Sequence, residues 1–379
     1  MVLSLLDGDH SPDAILSLVV ARFPASGSDP GLTGEQLARM LSLLDEALML
    51  ESLRWKAFLD SPTRQPSCIG SYPEEPAELR ARIQSLFTAS GGAGLPGEAG
   101  CRIASEGRVR AVLVPHMDYG RGGITYGFGF RELFERTDAD LFVIVGTSHY
   151  SPARLTFSRQ NFLTPLGTIP TDTGFIDRAV AHYGEGLFDD PYAHIPEHSI
   201  ELEVAILQYL YEHMGRNIRI VPLLVGSFHS STSTGTSPGD DSDLARMVAA
   251  LRFAEAETPE RVCYIISGDL AHIGPKFGDD SLDDEYLTRS RIQDDRLTAS
   301  LIDGDVEGYF RTIAAEGDSR RICGLPPTWL SLSALGPIER GTLLHYGRYV
   351  APDRHESVSF ASMAFGERDA TQSAAARSS

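Results

Sequence analysis

The sequence predicts an α/β fold in which a central, mostly parallel sheet is flanked by helices and preceded by a small helical domain. Three observations carry this. β-branched apolar runs ("RVRAVLVPH", "DLFVIVGTSH", "NIRIVPLLVG", "RVCYIISGDLAH") recur from residue 108 onward. Helical stretches such as "EHSIELEVAILQYLYEHM" and "DSDLARMVAALRFAEA" separate them, and residues 1 to 60 carry only helical patterning. Alternation of this kind sets strands side by side in parallel and covers them with helices. At 379 residues the chain can bury a large core.

Within residues 1 to 62, "SPDAILSLVVARF" opens with Ser11 as an N-cap and Pro12 at the first helical position. In "LTGEQLARMLSLLDEALMLESLRWKAFLD", Thr33 and Gln36 form a capping-box pattern, and Leu37, Met40, Leu41, Leu44, Ala47 and Leu48 share one helical face. This predicts an accessory domain without chemistry of its own. Residues 63 to 107 read as a linker and a leading helix. "DSPTRQPSCIGSYPEEP" is rich in Pro, Ser and Gly, "PAELRARIQSLF" is amphipathic, and "TASGGAGLPGEAG" is a second flexible break. Residues 108 to 366 form the α/β domain, closed by the strands "GTLLHYGRYV" and "SVSFASMAFG", which extend the sheet. "SSTSTGTSPGDDSD" reads as a loop, and residues 367 to 379 as a disordered tail with too little apolar surface to pack.

A formal net charge of −19 sets nucleic acid and anionic membranes aside as partners, since both would meet a mostly acidic exterior. No segment approaches the ~20 apolar residues of a spanning helix. The start "MVLSLLDGDHSPD" meets acids early, unlike a signal peptide. Cys68, Cys101, Cys263 and Cys323 lie far apart with no CxxC spacing, which indicates neither a zinc ribbon nor a disulfide framework. A reducing, cytoplasmic setting is expected.

Candidate chemistry gathers at strand ends. In open α/β sheets, ligands bind beyond the carboxyl ends of the strands. His116, His149, Asp269 and His272 each follow an apolar run, where polar groups are tolerated when hydrogen bonds or a metal satisfy them. Glu197 and His198 start a helix, where orphan amides and the helix dipole favour acidic or polar partners. Cys323 precedes Gly324 and a Pro-Pro helix start, a setting that lowers a thiol pKa and yields a thiolate nucleophile or metal ligand. Cys263, inside a strand, and Cys101, in a flexible segment, are expected to be inert.

At these residues the sequence resembles the Memo family, which includes component B of the bacterial AmmeMemoRadiSam system. The blocks "PHMDYGRGG", "VGTSHYSP", "TPLGTIPTD", "EHSIELEVAILQYL", "IVPLLVG", "ISGDLAHIG" and "ICGLPPTWLSLSAL" occur in order over roughly residues 66 to 366. The resemblance implies the fold of class III extradiol dioxygenases and a metal held by His116, His149 and Cys323. Asp269 and His272 would line the same cavity, with His198 near. Imidazole and thiolate suit iron (Fe2+), copper or zinc, whereas magnesium and calcium want oxygen ligands. Where animal relatives read His-Ala-Gly-Tyr, this chain has His116, Met117, Asp118 and Tyr119. Asp118 is expected to orient an imidazole, with Tyr119 and Glu197 beside the pocket.

The expected function is metal-dependent redox chemistry, or control of a redox-active metal, at a His-His-Cys site. In its enzymatic form, a non-haem iron oxidoreductase, His198 or His272 would move a proton and Asp269 would orient its partner imidazole. The rival readings are a non-catalytic module that binds a peptide or protein in the same pocket, and a metal-assisted hydrolase. Expected partners are an unidentified small molecule or peptide and, by the resemblance, a radical SAM protein and an AMMECR-type protein.

Overall fold

A computed structural model describes residues 1–23, 31–97, 108–212, 214, 216–336 and 340–366. Cys101, His213 and the tail 367–379 lie outside the described residues. Among the described residues, a 3-10 turn at Leu3–Leu5 and three α-helices make up the first unit of the chain, Met1–Ser61: α1 (Pro12–Arg22), α2 (Gly34–Glu46) and α3 (Leu53–Leu59). Each α-helix begins at a hydroxyl cap. Ser11 accepts from the Ala14 amide, Thr33 and Gln36 close a reciprocal capping box, and Ser52 accepts from the Trp55 amide. Ile15, Val19 and Leu37 form the buried core. The face expected to continue to Leu48 stops sooner, because α2 ends at Glu46 and Leu48 turns into the left-handed region at φ +58°.

The second unit, Pro62–Ser379, runs β1 (Thr63–Arg64), α4 (Pro76–Thr88), β2 (Val109–Val114), α5 (Tyr119–Gly122), α6 (Thr125–Arg136) and β3 (Leu141–Thr147). Next come β4 (Leu155–Phe157), β5 (Asn161–Thr164), β6 (Gly167–Ile169), α7 (Thr173–Tyr183), α8 (His198–Tyr211), β7 (Arg219–Val225) and α9 (His229–Thr234). It closes with α10 (Ser242–Ala256), β8 (Val262–Ser267), β9 (His272–Ile273), α11 (Asp284–Ile302), α12 (Val306–Ala315), α13 (Leu325–Leu335), β10 (Gly341–Val350) and β11 (Ser357–Gly366). The large sheet has the order β10-β11-β2-β8-β3-β7-β4, with β9 pairing onto β11. Its four central strands are parallel, while β10, β11 and β4 are antiparallel, so the sheet is mixed rather than parallel throughout.

The near-continuous apolar strands follow from burial on both faces. Along β2, Ala111 and Leu113 join one core while Val112 and Val114 join the other; Val143 and Val145 face Phe142 and Ile144 in the same way on β3. Each such fully buried aliphatic or phenyl side chain contributes about 1.5 to 3 kcal/mol.

Two loop expectations are corrected. Residues 63 to 72 are a strap fixed to the sheet domain, not a free linker. Arg64 and Glu201 form a buried ion pair, and Glu201 also accepts from the Ser67 and Cys68 amides and the Tyr72 hydroxyl. A buried carboxylate needs that many partners, and composition does not display them. Part of the Ser/Thr-rich loop is the helix α9, where Thr234 Oγ1 bonds back to the Ser230 carbonyl at 2.8 Å.

Candidate metal centre

Register brings the strand ends to one level. Ser267 pairs with Val114 on one side and Gly146 on the other. His116 and Asp269 therefore lie equally far past the line, with His149 one residue further on. Thr147 ties in two more segments: its carbonyl accepts from Ser199 Oγ (2.9 Å) at the start of α8, and its hydroxyl donates to the Cys323 carbonyl (2.7 Å). Glycine permits the last approach. A methyl group on Gly268 would overlap the Cα of Gly324, and one on Gly324 would meet the Asp269 carbonyl at 2.7 Å.

One side of the cavity is built on Glu197, the N-cap of α8. Its carboxylate accepts from the His198 amide (2.9 Å), the Ser199 amide (3.1 Å) and the His149 amide (2.7 Å). It also accepts from His149 Nδ1 at 3.0 Å and faces His198 Nδ1 at 3.2 Å. A carboxylate can only accept, so both rings carry their proton on Nδ1 and keep the Nε2 lone pair for a ligand. The two rings stack at 4.7 Å. Burial pushes the Glu197 carboxyl up, but the hydrogen bonds from His149 and His198 outweigh it and hold the group well below the usual carboxylate range.

The other side is His116, Asp269 and Cys323. His116 Nε2 lies 3.1 Å from Cys323 Sγ and 3.7 Å from Asp269 Oδ2. Asp269 Oδ1 accepts from the His116 amide at 3.2 Å, whereas Oδ2 is buried with no hydrogen-bond partner. Burial pushes this carboxyl up to about 7. Burial, together with neighbouring His149 and His198, holds His116 well below the ordinary imidazole range. Cys323 departs from expectation: burial and then the Asp269 carboxylate push its thiol well above the usual range. It precedes Gly324, the cap of α13, and an acid faces it, so its proton leaves only for a cation.

The donor atoms form two sets that share His116. Those of His116, His149 and His198 lie within 4.8 Å of one another, as do those of His116, Asp269 and Cys323. Among the described residues, His149 and Cys323 fall in different sets, so the expected trio divides between the two sides. Both sets fit a transition ion, the first with three imidazole nitrogens and the second with an imidazole nitrogen, a thiol and a carboxyl oxygen left without a partner.

Beside them, His272 places Nδ1 3.2 Å from the Leu270 carbonyl and 3.0 Å from the Arg321 carbonyl. Carbonyls only accept, so Nδ1 carries the proton, and Nε2 keeps its lone pair. Burial pushes this imidazole down to about 4. His272, His116, His149, His198 and Asp269 line a cavity of about 370 Å³. Asp118 stands at its edge, bound to the Gly120 and Arg121 amides and the Arg121 guanidinium, and touches no imidazole. Tyr119 is not a lining residue: its ring is buried in the core, and its hydroxyl donates to the Leu202 carbonyl at 2.5 Å. Cys263 is fully buried, in accordance with an inert thiol.

Sequence reasoning missed Ser67, Cys68, Lys276 and Glu356, which also line the cavity. It also missed Ser267 and Glu203 behind His116. The available signal was the pair Glu201 and Glu203 inside the otherwise apolar "SIELEVAIL".

Comparison with known proteins assigns these features a relationship. The family described as Memo-like protein matches residues 64–364. A MEMO1 family protein, TK1477, from Thermococcus kodakarensis is 30% identical over 291 residues, covering 75% of this chain and 91% of the relative. A MEMO1 family protein from Aquifex aeolicus is 26% identical over 377 residues, covering 96% of this chain and 90% of the relative. One from Methanopyrus kandleri, MK0963, is 29% identical over 311 residues, covering 80% and 98%.

Proposed function

The chain belongs to the Memo-like protein family, and from its site we propose that it binds a redox-active transition metal, iron as Fe2+ or copper, with His116 as the central ligand. One observation carries the reading: His116 Nε2 faces Cys323 Sγ at 3.1 Å beside a buried Asp269 oxygen with no partner. A buried polar atom left unpaired is costly, and a cation would satisfy it together with the thiolate and the imidazole.

The metal would supply Lewis acidity and one-electron chemistry when bound. The chain's own groups do the rest. Glu197 holds His149 and His198 with Nε2 presented to the cavity. His272, neutral and with its Nε2 lone pair free of the carbonyl contacts, is placed to accept a hydrogen bond from a bound molecule. Asp269 steadies the His116 backbone through Oδ1. The molecule processed would be a small compound or a peptide end that fits about 370 Å³. The same reading extends to a fold of class III extradiol dioxygenase type and a cytoplasmic setting. It includes partnership with a radical SAM protein and an AMMECR-type protein, which rests on family resemblance alone.

Anaerobic purification with elemental analysis and metal titration tests it. Iron or copper near one equivalent per chain, lost in His116→Ala, is the expected result. Zinc with oxygen-independent cleavage of an ester or amide would replace it by the hydrolase reading. Tight peptide binding with no metal dependence would replace it by the binding module.

A further inference from the structure

Three of the four cavity histidines have a fixed acceptor for Nδ1. His149 and His198 face Glu197, and His272 faces two backbone carbonyls. His116 is the exception. Its Nδ1 lies 3.4 Å from the Ser267 hydroxyl, a group that both donates and accepts and so fixes nothing by itself. Whatever lies behind Ser267 decides which way that hydroxyl points.

Behind it is Glu203, on the inner face of α8. Its side chain is entirely buried, and neither carboxyl oxygen closes a hydrogen bond. Burial pushes the carboxyl well above the ordinary range; Ser267 works in the opposite direction, and the Asp269 charge adds to the burial. The tyrosines on this side do not serve it, since Tyr119 donates to the Leu202 carbonyl and Tyr126 to the Met117 carbonyl. A carboxyl with two unpaired oxygens is expensive to bury, and Glu201, the other buried carboxylate of α8, has Arg64, two amides and the Tyr72 hydroxyl as partners where Glu203 has none. As ordinary core it would be better replaced by leucine.

We propose that Glu203, acting through the Ser267 hydroxyl, is the positioning residue for His116, doing for that ring what Glu197 does for His149 and His198. The proposal rests on the metal-holding reading above. In this arrangement His116 Nδ1–H donates to Ser267 Oγ, and the Ser267 O–H donates to a Glu203 oxygen. Nε2 is left with its lone pair toward Cys323 and Asp269. No proton is gained or lost. The line only selects the tautomer and holds the ring.

The test uses the full chain, anaerobic titration with Fe2+ alone, and histidine-selective 15N NMR of the metal-free protein, the His116 signals being assigned by their loss in His116→Gln. Glu203→Leu and Ser267→Ala should each weaken Fe2+ binding by at least about fivefold, and the double variant should be no weaker than Ser267→Ala. Glu203→Gln keeps an acceptor and should bind within about twofold of the parent. In the NMR spectra, Glu203→Leu should shift the His116 nitrogens toward a mixture of tautomers and leave those of His149, His198 and His272 in place. Circular dichroism should show Glu203→Leu folded like the parent, so that a loss of Fe2+ binding reports on the His116 ring. Additive losses in the double variant, or unchanged His116 signals in Glu203→Leu, would each overturn the proposal. A parent protein that binds no Fe2+ would overturn the metal-holding reading instead, and the His116 signals of the metal-free variants would still decide the role of Glu203.

Discussion

On the Glu197 side of the cavity, His149 and His198 each turn Nδ1 to one carboxylate, and their side chains stay 28% and 29% exposed. On the Cys323 side, His116 and Asp269 are 3% and 1% exposed, one carboxyl oxygen has no partner, and the thiol is held neutral. The same types of group thus sit in opposite states a few ångströms apart. The difference teaches that ligand quality is not set by residue type. The Glu197 side is preassembled by its own hydrogen bonds. The Cys323 side holds donors that become fully satisfied only when a cation displaces a proton.

The hardest blow to this contrast is at the residue both sides share. His116→Ala should lower Fe2+ or copper affinity at least about a thousandfold, ~4 kcal/mol, in an anaerobic titration. A loss below about tenfold would place the metal on the Glu197 side alone.

Acid should separate the groups next. His272 and the remote, buried His194 are both pushed down to about 4 by burial. An unfolded chain protonates such rings below about 6.5, whereas the folded chain does not until about 4. The stability they contribute is therefore complete above 6.5 and lost as pH falls from 6.5 toward 4, by at most about 3 kcal/mol each. Asp269 works in the opposite sense: the fold keeps its proton up to about 7, so its stabilisation is present at low pH and lost as pH rises from 3.8 to 7. Glu197, held low, adds a further loss only below its ordinary value of 4.5. Urea midpoints of the metal-free protein should fall between pH 6.5 and 4, and fall further in Asp269→Asn. A midpoint independent of pH across that window would contradict the assignment.

Glu197→Gln sharpens the comparison from the preassembled side. An amide cannot accept from both imidazoles and cap α8 as the carboxylate does, so metal affinity should drop about thirtyfold, ~2 kcal/mol. Circular dichroism would confirm that the fold persists, and a drop no larger than that of a surface Glu→Gln control would mean the two rings need no common holder. The smallest effect is expected at the thiol. Cys323→Ser should weaken iron or copper binding by about tenfold, ~1.4 kcal/mol, while Cys263→Ser leaves it unchanged. Equal affinity for both would remove Cys323 from the ligand set.

What could be read from the amino acids alone was whatever local pattern dictates. Ser11, Thr33 and Gln36 act on amides within a few residues, so their caps were visible. His116, His149 and Asp269 stand where apolar runs stop, and strand register does the rest. Three things were not visible because distant partners decide them. Asp118 could not be known to fold back on Arg121, nor Arg64 to reach Glu201, nor Ser267 to stand between Glu203 and His116. The division of His149 and Cys323 between two donor sets likewise depends on ring orientation, which spacing does not encode. The closing strands β10 and β11 were legible, and their short connection requires the antiparallel pairing they show, whereas β4, only three residues long, is too short for its pattern to stand out.

The strap from residue 63 to 72 has a consequence for how the chain is made. Arg64 waits for Glu201, 137 residues downstream. At ribosomal speeds of roughly 5 to 20 residues per second, that partner is polymerised about 7 to 27 s later. Through that interval the guanidinium has no buried carboxylate to enter, and Cys68, which will line the finished cavity, travels on an unanchored segment. The wall of the cavity translated first thus cannot set until synthesis has passed α8, and a nascent-chain protease assay should find the strap cleavable until α8 has left the exit tunnel.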